Sequence, residues 1–400
     1  MRRNIYTLLM TLLLLSCNNK VLFWENGVDV AKRQCILMAE VLLDSANLLP
    51  RTSDRDEKLI TCTPDWWTSG FFPGTLWYLY ELSNDTIFRD YAREYMKRIE
   101  NEQFTTSHHD LGFMMYCSYG NALRLDTVNG EYYKKILLQS ANSLITRFDS
   151  NVGLIKSWDG MEDKWQYPVI IDNMMNLELL MWAYKETNDY KYKNIACSHA
   201  DKTMNNHFRA DFSSYHLVSY DKTNGEPESK VTVQGYSDSS SWARGQAWGV
   251  YGYTMMYRET GDKKYLLQAE NIAKYIINHI NLPSDKVPYW DFDDHKIPNT
   301  YRDASAAAIM ASAFLELSQY VSRDFSEDCI KTATCQLKAL SSEKYLAEIG
   351  KNANFILMHS VGNLPLNSEV DVPLTYADYY YIEALLRYKR ICERVNLSEL

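Results

Sequence analysis

Along most of this chain, apolar positions recur every three or four residues, the spacing of amphipathic helices, and strand-like alternation is almost absent. The pattern predicts about twelve helical stretches, over residues 28–47, 70–83, 85–101, 111–125, 131–149, 172–187, 189–208, 241–259, 262–280, 303–321, 325–341 and 374–393. A further stretch near 344–358 reads as an extra helix or as the first half of the last pair.

The joints between these stretches repeat. A polar residue or glycine is followed by an acid and then by an early aromatic. Asn84-Asp85 leads to Phe88, Asn188-Asp189 to Tyr192, Gly261-Asp262 to Tyr265, and Asp324 to Phe325. Asn129-Gly130-Glu131-Tyr132-Tyr133 is a looser version. Each joint combines a helix stop, a tight turn and an acid placed favourably at the next N-terminus, so the repeating unit is a helical hairpin. First helices of the pairs are rich in Gly, Ala and Ser (Trp242–Tyr253, Ala304–Ser312), which suits crowding round an axis. Second helices are more charged (85–101, 262–280), which suits an outer ring. Six such pairs closed on themselves make an all-α (α/α)6 barrel. An open solenoid would show the same pattern, so closure is an inference. The long loops, at 50–69, 102–110, 150–171, 209–240, 281–302 and 359–373, fall where inner helices begin, and function is expected there.

The N-terminus breaks the helical pattern. Arg2 and Arg3 precede a short apolar run, Ile5 to Leu15, that ends in Leu14-Leu15-Ser16-Cys17. That run fits the core of a signal peptide, and its end resembles a bacterial lipobox, which implies cleavage before Cys17 and lipidation of its sulfur. Ordinary cleavage with Cys17 as a bystander is the alternative. The expected organisation is a lipoprotein signal over 1–17, a tether over 18–27 and one barrel domain over 28–395. Attachment to a membrane would then be through lipid only, on the periplasmic side.

Composition narrows the function classes. Hydrophobic residues make up 46% and charged residues 23%, as in a globular protein, and the net charge of −9 argues against a nucleic-acid partner. An anionic sugar is not excluded, because a pocket can be locally basic. Of eight cysteines, none forms a CxxC pair or a metal-ligand spacing, and the remainder after Cys17 is odd in number. Cys35, Cys117, Cys197 and Cys392 sit in helical, apolar surroundings and read as buried free thiols.

Two acids stand at mouths of inner helices, Asp110 and Asp172. Either could simply cap a helix. Ile170, Ile171, Met174 and Met175 surround Asp172 with apolar bulk, however, and burial with a second carboxylate nearby favours the protonated form that a general acid needs. His108-His109-Asp110 invites a metal site, but adjacent residues on an extended loop are expected to point apart, and no second cluster supplies ligands. Trp66, Trp67, Trp158, Trp242, Trp248 and Trp290 sit beside Gly, Ser and Asp at loop ends, as walls of a sugar site or as plain core. Arg244, between small residues, reads as a partner for an anion or as one half of a salt bridge to a loop acid.

In combination, WTSGFFPG, HDLGF, IIDNMMN, QGY with SWARGQAWG, and DYYYIEALLR resemble glycoside hydrolase family 88, the unsaturated glucuronyl hydrolases, from about Trp66 to Arg387. The resemblance implies that Asp172 is the general acid/base and Asp110 its supporting aspartate. It implies substrate contacts at Trp67, His109, Trp158, His216, Gln234, Arg244 and Trp248. Val233 stands where some members carry histidine, and Ser239 where an acid is frequent, departures that bear on the substrate subclass. The implied reaction acts on the C4=C5 double bond that polysaccharide lyases leave on a terminal uronic acid. Asp172 protonates C4, water deprotonated by the same group adds at C5, and the hemiketal opens to release the remaining sugar. No metal or organic cofactor is required. Rival readings are an unsaturated rhamnogalacturonyl hydrolase acting on pectin fragments, a non-catalytic glycan-binding lipoprotein, and a repeat scaffold for protein partners.

Overall fold

Ser83-Asn84-Asp85, Thr187-Asn188-Asp189 and Thr260-Gly261-Asp262 fold into the same turn in a computed structural model that describes residues 23–45 and 47–398. In each, the hydroxyl donates to the carbonyl four residues back (Leu79, Ala183, Met256; 2.6–2.7 Å) and accepts the amide of the acid two residues on (3.1–3.2 Å). The middle residue takes φ of 55°, 57° or 69°, a left-handed conformation that Asn and Gly tolerate best. The acid then accepts the amide two residues further on (Ile87, Lys191, Lys264), a cap that stabilises each outer helix by about 1 kcal/mol. The Asp324 joint differs: Ser322 occupies the cap position and Asp324 lies in the first turn.

These turns link helical pairs into a ring. In chain order the helices are α1 (23–42), α2 (Phe71–Ser83), α3 (Thr86–Arg98), α4 (Asn121–Leu125), α5 (Gly130–Ile145), α6 (Leu177–Thr187), α7 (Tyr190–Asn206), α8 (Ala243–Thr260), α9 (Lys263–Asn278), α10 (Ala304–Leu317), α11 (Arg323–Leu340) and α12 (Thr375–Ser398). A π-helix, Gly112–Gly120, precedes α4, and a 3-10 helix, Ile171–Asn176, precedes α6. The inner ring is α2, the π-helix with α4, the 3-10 helix with α6, α8, α10 and α12. Each packs on the next, and α12 packs back on α2, so the barrel closes. Helix α10 is buried at every position, which its run of Ala and Ser allows. Outer helices bury one stripe only: α9 buries Tyr265, Gln268, Ala269, Ile272, Ala273 and Ile276 and turns its lysines outward. The fold is the expected (α/α)6 barrel.

Four departures have physical causes. First, strands are present after all. Two-residue to five-residue strands pair antiparallel in the loops: β1 (Leu49–Ser53) with β2 (Leu59–Cys62), β3 (Phe148–Asp149) with β4 (Leu154–Ile155), β5 (Pro168–Ile170) with β6 (Leu217–Tyr220) and β7 (Pro227–Val231), and β8 (Ser360–Asn363) with β9 (Ser368–Val372). They are too short for a period of two to stand out. Second, 344–358 forms no α-helix, only a three-residue 3-10 turn at Asn352–Asn354. Asn352, Ala353 and Asn354 all have positive φ, and the Asp378 carboxylate accepts the amides of Ile356 and Leu357 (2.9 Å each), pinning an apolar segment as a loop. Third, α1 is already formed at residue 23, so residues 23–27 of the expected tether are helical. Fourth, all seven cysteines in the described region are free thiols as expected, but of the four singled out only Cys35 is fully buried; Cys117, Cys197 and Cys392 are half-buried. The signal peptide, the rest of the tether and Cys17 lie outside the described residues.

Candidate active site

Asp110 and Asp172 enter the same end of the barrel on neighbouring inner segments. Gly112, two residues after Asp110, allows that proximity: a Cβ there would lie 2.4 Å from the Asn176 Cα. The two backbones can therefore approach only with glycine at this point. Asn176 Oδ1 accepts the Phe113 amide (3.0 Å) and ties the segments together. Ser157, fully buried, makes a second tie. Its carbonyl accepts the His109 amide (3.0 Å), its hydroxyl accepts the Ile170 amide (3.0 Å) and its own amide donates to Pro168 (2.9 Å). One loop residue thus fixes the strand before Asp172 and the segment before Asp110.

Neither carboxylate caps a helix. No side-chain cap bond exists at the π-helix after Asp110 or at the 3-10 helix that holds Asp172, in contrast to Asp85, Asp189, Asp262 and Asp303. Asp172 is 8% exposed and its Oδ2 is buried without a hydrogen bond, 3.7 Å from His216 Nε2, which also lacks one. His216 Nδ1 accepts the Gln234 amide (3.3 Å), so a neutral ring carries its proton on Nε2, facing Asp172. The gap exceeds a hydrogen bond, and both groups are left to bind a substrate or water atom.

Asp110 is clamped between two imidazoles. His108 Nδ1 lies 3.2 Å from Oδ2 and His109 Nε2 lies 3.3 Å from Oδ1. The adjacent histidines therefore converge on one carboxylate; the loop is bent where an extended one was expected. Burial pushes the Asp110 carboxyl up, but the His109 field, the His108 hydrogen bond and the more distant Arg147 outweigh it and hold it below its ordinary value. Asp110 is accordingly an anion at neutral pH. His109 is held below the usual imidazole range by its burial, against the pull of Asp110 and Asp172. For His108, burial is outweighed by the hydrogen bond and charge of Asp110, which raise its affinity for a proton.

The aromatic candidates divide. Trp67 and Trp158 are half-buried. Trp67 packs on Phe71, Phe113 and Tyr376 (centroids 6.0, 5.5 and 5.1 Å), and Trp158 pairs with His108 through a backbone bridge with its indole N–H buried and unpartnered. Trp248, expected as a substrate contact, is 1% exposed and packs under Phe113, Tyr376 and Tyr380; it is floor, not wall. Trp242 and Trp290 are likewise buried, and Trp66 lies outside under the Arg51 guanidinium, 4.1 Å from its ring.

Arg244 is buried, and its guanidinium donates to the carbonyls of Val361 and Gly362 (the latter at 2.7 Å) and to Gln234 Oε1 (3.0 Å), with Asp303 Oδ2 at 3.5 Å. The salt-bridge reading holds. Arg244 fastens the β8–β9 hairpin to the Gln234 loop. Gln234 keeps its NH2 to donate, because only its oxygen is taken.

Sequence reasoning missed Tyr376, whose hydroxyl is buried without a partner beside Trp67, and Asn173 and Asn176, each with one unpartnered amide atom. Tyr376 could have been found as an aromatic in the first turn of an inner helix. The asparagines lie inside a motif already noticed, but burial alone marks their free atoms.

Two carboxylates at the mouth of a helical toroid, over an aromatic floor and among unpartnered polar atoms, define a carbohydrate-cleaving enzyme. Residues 46–390 match the model of Glycosyl Hydrolase Family 88. The chain is 47% identical over 343 residues to the unsaturated glucuronyl hydrolase of Formosa agariphila, covering 86% of this chain and 85% of the relative. It is 35% identical over 328 residues to the unsaturated chondroitin disaccharide hydrolase of Streptococcus pneumoniae, covering 80% and 81%. A crystal structure of an unsaturated glucuronyl hydrolase specific for heparin superposes with a TM-score of 0.89 at 48% identity, over 93% of this chain and 98% of that one. The chain belongs to glycosyl hydrolase family 88.

Proposed function

We propose that this enzyme removes the 4,5-unsaturated uronic acid from the non-reducing end of oligosaccharides left by polysaccharide lyases, with glycosaminoglycan disaccharides as its substrates. The observation that carries the reading is Asp172 Oδ2, buried, unpartnered and 3.7 Å from an equally unpartnered His216 Nε2. A single carboxyl in that position protonates C4 of the enol ether. The cation that develops at C5 is shared with the ring oxygen, and a water molecule that gives its proton back to Asp172 adds there. The product hemiketal opens and releases the next sugar, and Asp172 ends protonated as it began. Asp110, held as an anion by its two histidines, accepts hydrogen bonds from ring hydroxyls. His216 Nε2 and the Gln234 NH2 donate to the substrate, while Trp67 and Trp158 flank the sugar ring. Relatives whose names specify chondroitin and heparin support the glycosaminoglycan class.

The conjugated double bond absorbs in the ultraviolet, and its hydration erases the signal. Unsaturated chondroitin, hyaluronan and heparin disaccharides are expected to lose absorbance with this enzyme, at rates that rank the substrates. Loss only on pectin-derived unsaturated sugars would move the assignment to the rhamnogalacturonyl branch, and binding without any loss would favour a glycan-capture protein.

We further propose that the enzyme is exported and lipid-anchored at Cys17, facing the periplasm. The support is the Arg2-Arg3 pair, the apolar run and the Leu14-Leu15-Ser16-Cys17 end, and no described helix is long and apolar enough to cross a membrane. Labelled palmitate is expected to enter the wild type and not Cys17→Ser, and equal labelling of both would overturn the anchor.

A further inference from the structure

Beside the crater lies a second concavity of about 770 Å³, in the upper part of the range of small-molecule sites. Tyr236, His295, Lys296, Asn299, Tyr301 and Leu364 contribute to its walls. Two of the walls begin at residues that Arg244 holds: Tyr236 is two residues beyond Gln234, and Leu364 is two beyond Gly362. Two residues span at most about 7 Å, so the cavity adjoins the crater rim.

The walls are built rather than loose. Asp291, fully buried, accepts the Tyr236 amide (2.8 Å) and the Ser240 hydroxyl (2.7 Å) on one oxygen, which fixes the loop that carries Tyr236. Asp294 accepts the Trp290 indole N–H (2.8 Å) and the Thr300 hydroxyl (2.5 Å), which fixes the opposite wall. On this rigid frame Tyr236 and Tyr301 stay 43% and 42% exposed, and the Tyr236 ring leans on His295 with centroids 5.1 Å apart. Lys296 has no acidic partner within salt-bridge distance among the described residues; Asp294 also lines the cavity, but it is 5% exposed, and its oxygens are taken by the Lys296 amide (3.0 Å), Trp290 and Thr300, with His295 Nδ1 at 3.5 Å. Exposed aromatic faces with an uncommitted ammonium in a concave surface suit a sugar ring that carries an anion.

We propose that this cavity is a distal subsite for the part of an oligosaccharide that continues beyond the sugar released, with Tyr236 and Tyr301 as ring platforms and Lys296 facing the carboxylate of a uronic acid. The inference rests on the reaction proposed above. In a polymer of alternating uronic acid and amino sugar, the unsaturated residue is followed by an amino sugar and then by a second uronic acid. The cavity therefore meets its anion only when the substrate is longer than a disaccharide.

The test compares an unsaturated disaccharide with the tetrasaccharide that has the same non-reducing end. The wild type is expected to favour the tetrasaccharide in kcat/KM by about tenfold, the combined size of one ring contact and one exposed ion pair. Tyr236→Ala and Lys296→Ala are each expected to shrink that ratio through KM, with disaccharide kinetics unchanged. No tetrasaccharide preference in the wild type, or equal losses on both substrates in both variants, would overturn the subsite. Absence of turnover on every substrate would instead overturn the reaction. Calorimetry of the two oligosaccharides binding to Asp172→Asn then decides the cavity by itself: tighter tetrasaccharide binding that Tyr236→Ala abolishes supports it, and equal affinities sink it.

Discussion

Asp172→Asn folds like the wild type and loses at least about three orders of magnitude in kcat, the expected result of removing one group that serves as both acid and base. Its stability is expected to change little. The Asp172 side chain caps no helix and its Oδ2 has no bond to lose, so an amide of the same shape leaves the packing alone. A melting temperature within about 2 °C of the wild type, together with lost ultraviolet decay, separates chemistry from misfolding. Activity near the wild-type level would remove Asp172 from the mechanism. A melting temperature far lower would mean that the 3-10 segment depends on its charge, contrary to the geometry.

The carboxylate pair was legible in the sequence because the joints inside each hairpin tell inner helices from outer ones, and a long loop precedes each inner helix. The ring was legible for a related reason. The Asp85, Asp189 and Asp262 caps act over two residues, so local spacing records them. Other features depend on contacts far apart in the chain. Arg244 meets Val361 and Gly362 more than a hundred residues away, and nothing in SWARGQAWG announces that its guanidinium is occupied. Trp248 reads like Trp158 in sequence, yet Phe113 and Tyr380 cover it. The π winding of Gly112–Gly120 escapes periodicity as well, since its apolar residues satisfy an α-helical pattern. That winding lies directly after Asp110, in the segment that Gly112 brings against Asn176. In this way the least legible stretch of backbone positions one of the most legible side chains.

For Asp110→Asn the expected loss is about a hundredfold to a thousandfold in kcat/KM, smaller than for Asp172 because no proton transfer to carbon is removed. The sharper readout is titration. In the wild type, burial works against a charged His108, and the hydrogen bond and charge of Asp110 more than reverse that, so the His108 pKa lies above the ordinary imidazole value. Replacing the anion by an amide removes the main pulls that oppose burial, and the His108 pKa must then fall. His109 is lowered by burial already, with Asp110 pulling the other way, so its pKa falls further in the variant. Both shifts have the same sign and are readable in the imidazole proton resonances as pH is varied. If the variant instead kept its His108 titration and lost only kcat, Asp110 would be acting as a ligand of the sugar alone. A shifted His108 titration with kcat and KM unchanged would confine Asp110 to the electrostatics of its own loop. The clamped geometry, one imidazole on each oxygen, predicts both effects together.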